Sequence, residues 1–514
     1  MQEKFLLGID AGTSVVKSVV YNLEGKQISL SRRRVAIETP KPGWAEQDMN
    51  KVWEMVRQTI VEVVNKAKIS PSSIAAIGVA GQGDGCRLLD EKLRPVRPSI
   101  LWLDGRAGEI VTQWEKKGID REGFRISGST IFSGAPAAII KWLSLNDPDS
   151  LKKAKCFLFA KDWIKFKLTG KICTDPSDAS RAPIDLKKLT YSEELFELFE
   201  ISPYLSIFPE ITFSGEIIGE TTRNIASECN LKAGIPVISG MIDVVATPVG
   251  LGILEKGEAY TIVGTTCFSA VLSSRPLFEP PGVGMNLAYA FPDRYVRAMP
   301  SMAGTPNLDW FVDNFFLNEK KRFKEEKFYE FLEENVKKIS PGSEGILYHP
   351  YINPGGERAP FVKPSAKAQF FGISLRHTKW HLLRAVYEGV ALSVLDCFSH
   401  IPVEVAEVRI SGGGATSSLW CQILSDVIGK PIHVSSAQEL GTLGAAIAAG
   451  AAVGLYPDIK EAAKELVKFS HFYKPNMENH SKYLEIYRLY RSIYNHLWND
   501  WDERRSLLRK LQEV

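Results

Sequence analysis

Short runs of buried-type apolar residues alternate along this chain with amphipathic stripes of helical period, and the first run sets a pattern that returns in the second half. Phe5-Leu6-Leu7-Gly8-Ile9-Asp10 reads as a buried strand, Ala11-Gly12-Thr13 turns the chain at once, and Val15 to Val20 reads as a β-branched return strand. The stretch Lys4 to Lys17 therefore predicts a tight hairpin with a carboxylate at its mouth. Lys26 to Ile37 continues the strand-like alternation until Pro40-Lys41-Pro42-Gly43-Trp44 breaks it. Asp48 then stands as N-cap of an amphipathic helix reaching about Lys66, with Val52, Met55, Val56, Ile60 and Val63 at helical spacing. Ile74 to Ala80 is a buried-type strand opening into the loop Gly81-Gln82-Gly83-Asp84-Gly85. After the segment Leu101-Trp102-Leu103-Asp104-Gly105-Arg106, helical stretches alternate with turns to about Gly234, as an inserted subdomain would.

The second half repeats the opening order. Ala259 to Val263 is an apolar strand turning at Gly264-Thr265-Thr266 into Cys267 to Leu272, the counterpart of the first hairpin without its acid. Val408 to Ser411 opens into Gly412-Gly413-Gly414-Ala415 as Ile77 to Ala80 opens into the Gly81 loop. Two copies of one α/β domain with a cleft between them account for this order. Lys367 to Asp396 predicts a turn and a long helix, Ser418 to Gly429 another, and the Ala- and Gly-rich Gly441 to Val453 a helix whose glycines allow close approach to backbone or ligand. In the tail, Tyr483, Ile486, Tyr490, Ile493, Leu497 and Trp501 share helical spacing and predict a helix docking on its own domain.

Composition narrows the class. At 514 residues the chain exceeds one compact core, so two or three domains are expected. A hydrophobic share of 45% with 24% charged residues is that of a globular protein, and a net charge of +3 spread along the chain points to neither nucleic acid nor an anionic membrane. No apolar run is long enough to span a bilayer, and the N-terminus enters a strand without a cleavable apolar segment. Seven cysteines without C-x-x-C spacing fit reduced thiols in a cytoplasm, and eight histidines without H-E-x-x-H spacing argue against a transition-metal enzyme.

The first hairpin is the leading chemical candidate. Gly12 lets an anion approach the backbone amides, the Thr13 and Ser14 hydroxyls can donate to phosphate oxygens, and Asp10 repels phosphate unless a cation lies between them. Either a site for a metal-bound nucleotide phosphate or an ordinary turn containing Asp and Gly satisfies this stretch taken alone.

Together these pieces resemble the FGGY carbohydrate kinase family over nearly the whole chain. Ala368-x-Phe370-x-Gly372-Ile373, followed after seven residues by His381-Leu382-x-x-Ala385-Val386-Tyr387-Glu388, satisfies the family's C-terminal signature. Beside it stand the Asp10-x-Gly12-Thr13 hairpin, Gly43-Trp44-Ala45-Glu46-Gln47-Asp48, Gly264-Thr265-Thr266, and Gly412-Gly413-Gly414 ahead of Trp420, Gln422 and Asp426. The N-terminal signature departs at Ile139, where many members carry Lys. The resemblance implies two ribonuclease-H-like domains of the actin and sugar-kinase superfold, with Mg2+, ATP and the acceptor meeting in an interdomain cleft. It implies boundaries of 1–248 and 249–453 for the two FGGY domains and 454–514 for a helical extension. The catalytic base of its G-x-x-D segment falls on Asp243, a position that also suits a helix N-cap. By the same carry-over Asp10 holds Mg2+ through water. Thr13, Ser14 and Lys17 contact phosphates from one side, with Gly264, Thr265 and Thr266 on the other. Gly304 and Asn307 match a nucleotide segment, and Gly413, Gly414 and Ser417 the adenine pocket.

For the acceptor, the resemblance points to Gln82, Asp84, Trp102 and Asp104, with wording most like erythritol and xylitol kinases and a likeness to L-xylulose or 3-keto-L-gulonate kinases through Asp243-Val244-Val245. A carboxylate and an amide suit paired hydroxyls. Asp84 would repel a sugar acid, so a neutral polyol or ketose is expected, unless Arg87 turns inward and offsets it. The expected partner is thus a small-molecule sugar or polyol, with no nucleic acid and no membrane, and a homodimer stays open as the assembly. A sugar-acid or hexulose kinase, and a nucleotide-switched binding protein of the same superfold, are the alternatives.

Overall fold

The computed structural model describes residues 3–512 and divides into two compact units. The first runs through Lys256 and also takes Leu272–Val296 and Ala437–Lys468; the second takes Gly257–Val271, Arg297–Ser436 and the chain from Phe469 on.

The first unit is built on the predicted hairpin. Phe5–Ala11 pairs antiparallel with Val15–Asn22, Asp10 opposite Lys17, and parallel with Ile74–Gly81, Ala11 opposite Gly81. Gln27–Arg34 extends the sheet on one side, and Pro236–Ile238 with Ile217–Glu220 on the other. Both faces of the central strands are covered, which is why they read as continuous apolar runs. On one face Leu7, Ile9, Val16 and Val20 pack with Trp53, Val56, Ile60 and Val63 of the Met49–Ala67 helix, whose N-cap Asp48 accepts from the amides of Asn50 and Lys51. On the other, the Leu440–Ala452 helix lies directly on the sheet backbone: a Cβ at Gly8 would collide with Thr442 O, and one at Gly78 with Ala445 O. The same helix meets the Asp243–Gly250 helix through Gly444 and Gly250, so its small residues serve backbone contact. The expected inserted segment forms a separate apolar cluster, with Trp114 against Phe199 and Phe157 stacked on Phe208.

The second unit repeats the core topology. Glu258–Val263 pairs antiparallel with the strand that follows it, Val263 opposite Cys267, and parallel with Glu407–Ser411, after which Ile432–Ser435 and Phe469–Tyr473 complete that side. The Lys379–Ser399 helix is buried along most of its length, and Ser418–Ile428 packs beside it. The tail differs from the single helix its pattern predicts: it breaks after Met477–His496 and resumes as Asp500–Gln512, with acids in the new first turn. Its buried face is Tyr483, Tyr487, Tyr490 and Tyr494, because each tyrosine hydroxyl finds a partner there: Tyr483 on Glu388, Tyr487 on Asp396, Tyr490 on Tyr351 and Tyr494 with Arg491.

All seven cysteines are free and buried. No helix among the described residues is long and apolar enough to cross a membrane, and none of their His, Cys, Asp and Glu side chains form a metal-binding group of three.

Candidate active site

Two carboxylates define the first unit's site. Asp10 ends the first strand, its Oδ1 buried and without a hydrogen-bond partner, and burial raises its pKa to about 6 against the opposing charge of Lys17. Asp243 opens its helix, where the amide of Val244 donates to Oδ1 at 2.7 Å. Burial raises its pKa to about 7, with Asp10 adding to the shift and Asp84 contributing less. An orphaned carboxylate oxygen beside a second acid is the donor set a hard divalent cation needs, so Asp10 fits the Mg2+ role.

The Thr13 hydroxyl joins the hairpin to the predicted acceptor loop. It donates to Gln82 Oε1 at 2.9 Å and accepts from Trp102 Nε1 at 2.9 Å, while Gln47 Nε2 donates to Thr13 O at 2.6 Å. Trp102 stands in a turn after the two-residue strand Ser99–Ile100, half-buried. Lys17 Nζ lies 2.6 Å from Glu439 Oε2, and Ser14 is exposed. Asp104 does not join this group. It is fully buried, with Oδ2 accepting from Ala45 N and Arg106 Nη2 and Oδ1 from Arg106 N and Nε, so its lone pairs hold the chain behind Trp102 and none is left for an acceptor.

Asp84 is held in the left-handed region at φ 55°, followed by Gly85 at φ 73°. Its carboxylate is compensated: Arg181 Nε donates to Oδ1 at 3.1 Å and Oδ2 at 3.0 Å. Asp84, expected from the sequence to repel a sugar acid, is thus paired with a guanidinium. Arg87 does turn inward, donating from Nη1 to the Asp84 carbonyl at 3.3 Å, and its charge is buried within reach of the Asp178 carboxylate's field. Arg181 was missed because nothing in the local sequence ties it to Asp84, 97 positions away. Beneath the loop runs a buried ionic network. Lys161 Nζ lies 2.7 Å from Asp162 Oδ1, 3.0 Å from Asp175 Oδ1 and 2.8 Å from Asp178 Oδ2, and Lys165 Nζ 3.0 Å from Asp162 Oδ1. Asp175 in turn accepts from Ser177 Oγ, and Ser177 Oγ accepts from the amide of Ile242, next to Asp243.

In the second unit the turn Gly264-Thr265-Thr266 meets the segment at Gly304. The amide of Thr305 donates to Gly264 O at 2.7 Å, and a Cβ at Gly304 would collide with that carbonyl. Thr265 and Gly413 are exposed, and Thr266 is partly so. Three of the predicted residues also have structural work. Asn307 is buried between Gly304 O and the Tyr348 hydroxyl, Gly414 packs on Val263, and Ser417 caps the Ser418–Ile428 helix by accepting from Trp420 N.

Comparison with known proteins agrees over the full length. The profile of the FGGY family of carbohydrate kinases, N-terminal domain, matches residues 5–250, and that of its C-terminal domain residues 259–453. The chain is 30% identical to a probable L-xylulose kinase of Haemophilus influenzae, over 96% of this chain and 99% of that protein. It is likewise 30% identical to an erythritol kinase of Brucella abortus, over 98% of each. Among solved structures it is similar to a gluconate kinase from Lactobacillus acidophilus, with a TM-score of 0.88 at 25% identity over 98% of this chain and 100% of that one. The fold is therefore the α/β fold of the sugar kinases in the actin-like superfold, and the chain belongs to the FGGY family of carbohydrate kinases.

Proposed function

We propose that the protein transfers the γ-phosphoryl group of ATP to a terminal hydroxyl of a neutral four- or five-carbon polyol or ketose. The observation that carries this reading is Asp243, a half-buried carboxylate at a helix start whose pKa near 7 suits a general base at neutral pH. The Val244 amide fixes Oδ1, so Oδ2 takes the proton of the acceptor hydroxyl as that oxygen attacks phosphorus. When bound, ATP would supply the phosphoryl group and Mg2+ the charge that neutralises it, with Asp10 holding the cation. Trp102, tied by its indole to Thr13, offers its ring to the acceptor's carbon chain, and Gln82 keeps the hairpin and the acceptor loop in one register. Most of the acceleration then comes from holding the two substrates in line.

Neutral acceptors are favoured because the charge of Asp84 is already matched by Arg181 and that of Lys17 by Glu439, which leaves Asp10 and Asp243 as the unmatched acids of the site. A carboxylate there would add a third negative charge. The names of the two relatives, one a probable kinase of a ketopentose and the other of a tetritol, agree with this class.

The test is ADP release with Mg-ATP against tetritols, pentitols, ketopentoses and sugar acids, with Asp243→Asn as control. Turnover with a neutral acceptor that disappears in the variant supports the reading. Turnover with sugar acids alone overturns the acceptor class, and no acceptor-dependent turnover across the panel overturns the activity.

A further inference from the structure

Arg181 follows the short helix Pro176–Ala179 and is anchored from below: its amide donates to Asp178 O at 2.9 Å, and Asp178 belongs to the buried network around Lys161. Its side chain is 2% exposed. One nitrogen, Nε, spans both oxygens of Asp84, and the guanidinium lies 5.8 Å from the centre of the Phe132 ring. Nη1 is buried and has no hydrogen-bond partner. A buried guanidinium N–H left unpaired is costly, and it sits on the carboxylate of the predicted acceptor loop. That loop in turn lies against the base: a Cβ at Gly83 would collide with Ile242 Cδ1, and Ile242 precedes Asp243.

We infer that Arg181 determines acceptor specificity by donating from Nη1 to an oxygen adjacent to the hydroxyl that Asp84 receives, so that the substrate class is a vicinal diol or an α-hydroxy ketone. The inference rests on the kinase reading above. Asp84 and Arg181 together form an acceptor beside a donor, the arrangement that matches a hydroxyl giving its proton to one and a neighbouring hydroxyl or carbonyl oxygen accepting from the other. An acceptor lacking the neighbouring oxygen leaves Nη1 unpaired in the occupied site, and sites built in this way reject such analogues strongly. Arg181 also pins Asp84 in its left-handed backbone conformation, but that support alone does not depend on which oxygens the acceptor carries.

The experiment compares tetritols, pentitols and ketopentoses with their monodeoxy analogues, using wild type, Arg181→Met and Arg181→Lys, and measures acceptor KM, ATP KM and kcat. In wild type, removing the oxygen next to the Asp84-bound hydroxyl lowers kcat/KM by about tenfold or more. In Arg181→Met the acceptor KM rises about tenfold while the ATP KM stays within about twofold, the discrimination against the deoxy analogue disappears, and Arg181→Lys recovers part of both. An Arg181→Met enzyme that keeps the discrimination, or that loses ATP and acceptor affinity in equal measure, overturns the inference and leaves Arg181 a prop for Asp84. If that variant fails to fold, the wild-type analogue series decides: equal use of the parent and every deoxy analogue overturns the inference while the kinase reading stands. Absence of turnover with every parent acceptor overturns both.

Discussion

The indole Nε1 of Trp102 donates to Thr13 Oγ1 at 2.9 Å, and that hydroxyl in turn donates to Gln82 Oε1, so a residue expected at phosphate and two expected at the acceptor share one hydrogen-bonded chain. Thr13→Val keeps the β-branched shape the hairpin needs but removes both bonds, leaving the buried Gln82 amide oxygen unpaired. The variant should lose about 1–3 kcal/mol of stability in chemical denaturation and raise the KM of ATP and acceptor together. A rise in only one of the two would mean that the network does not couple them.

Asp243→Asn removes the proposed base while keeping the shape and the bond from Val244. Activity should fall by about two to four orders of magnitude with little change in acceptor binding. The ligand-free variant should also be more stable than wild type at pH 8. The folded pKa of about 7 lies above the ordinary aspartate value of 3.8, so the unfolded chain binds fewer protons between those values and this group's contribution to stability falls as pH rises through the window. Above about pH 7 the folded state carries a buried charge that Asn lacks, a difference of about 1–3 kcal/mol after screening of a half-buried side chain. An unchanged or lower melting temperature at pH 8 would contradict the buried-charge account of Asp243.

The same shift sets the pH profile. A base must be unprotonated, so kcat/KM for the acceptor should rise with pH on an acid limb near pH 7 and level off above it, at a higher pH than a carboxylate of ordinary pKa would give. Burial and the charge of Asp10 cause the shift, and Asp84 contributes less, so Asp84→Asn should move the limb to lower pH by a fraction of a unit. A limb near pH 4 in wild type would mean that Asp243 titrates as an ordinary carboxylate in the working enzyme.

The parts of the fold that were legible in the sequence are those fixed by local periodicity. The Asp10 hairpin, the Asp48-capped helix and the recurrence of strand, turn and glycine loop in the second half all follow from alternation, caps and turn residues within a dozen positions. The demand of the Gly441 to Val453 stretch for close contact was legible too, in its small residues, but its partners Gly8 and Gly78 were not, since they lie hundreds of positions away. Polar pairing was the least legible. Asp104 looks like an available acid until Arg106 and Ala45 consume it, Asp84 looks isolated until Arg181 reaches it, and Lys17 looks free for phosphate until Glu439 is found 422 positions on. The tail helix was misread at two positions because isoleucine outranks tyrosine on any apolar scale, yet the tyrosines are buried by virtue of their hydroxyls' partners.

The network under the acceptor loop makes a prediction in which two substitutions in one cluster behave oppositely. Three buried carboxylates, Asp162, Asp175 and Asp178, share the ammonium groups of Lys161 and Lys165. Burial and the neighbouring acids push Asp178 well above the carboxylate range although Lys161 opposes them, while the two lysines hold Asp162 down to about 2. Asp178 is therefore the member most readily protonated, and Asp178→Asn, which copies its neutral form, should cost little. Lys161→Met should cost about 3–5 kcal/mol, because it removes the ammonium that Asp175 and Asp178 share. It should also slow turnover more than it weakens ATP binding, since Asp175 orients Ser177 and Ser177 holds the amide of Ile242 beside the base. Urea denaturation of the two variants, with kcat and KM measured on each, checks this: equal destabilisation by both would mean that Asp178 is charged in the folded protein and that the proton sits elsewhere in the cluster.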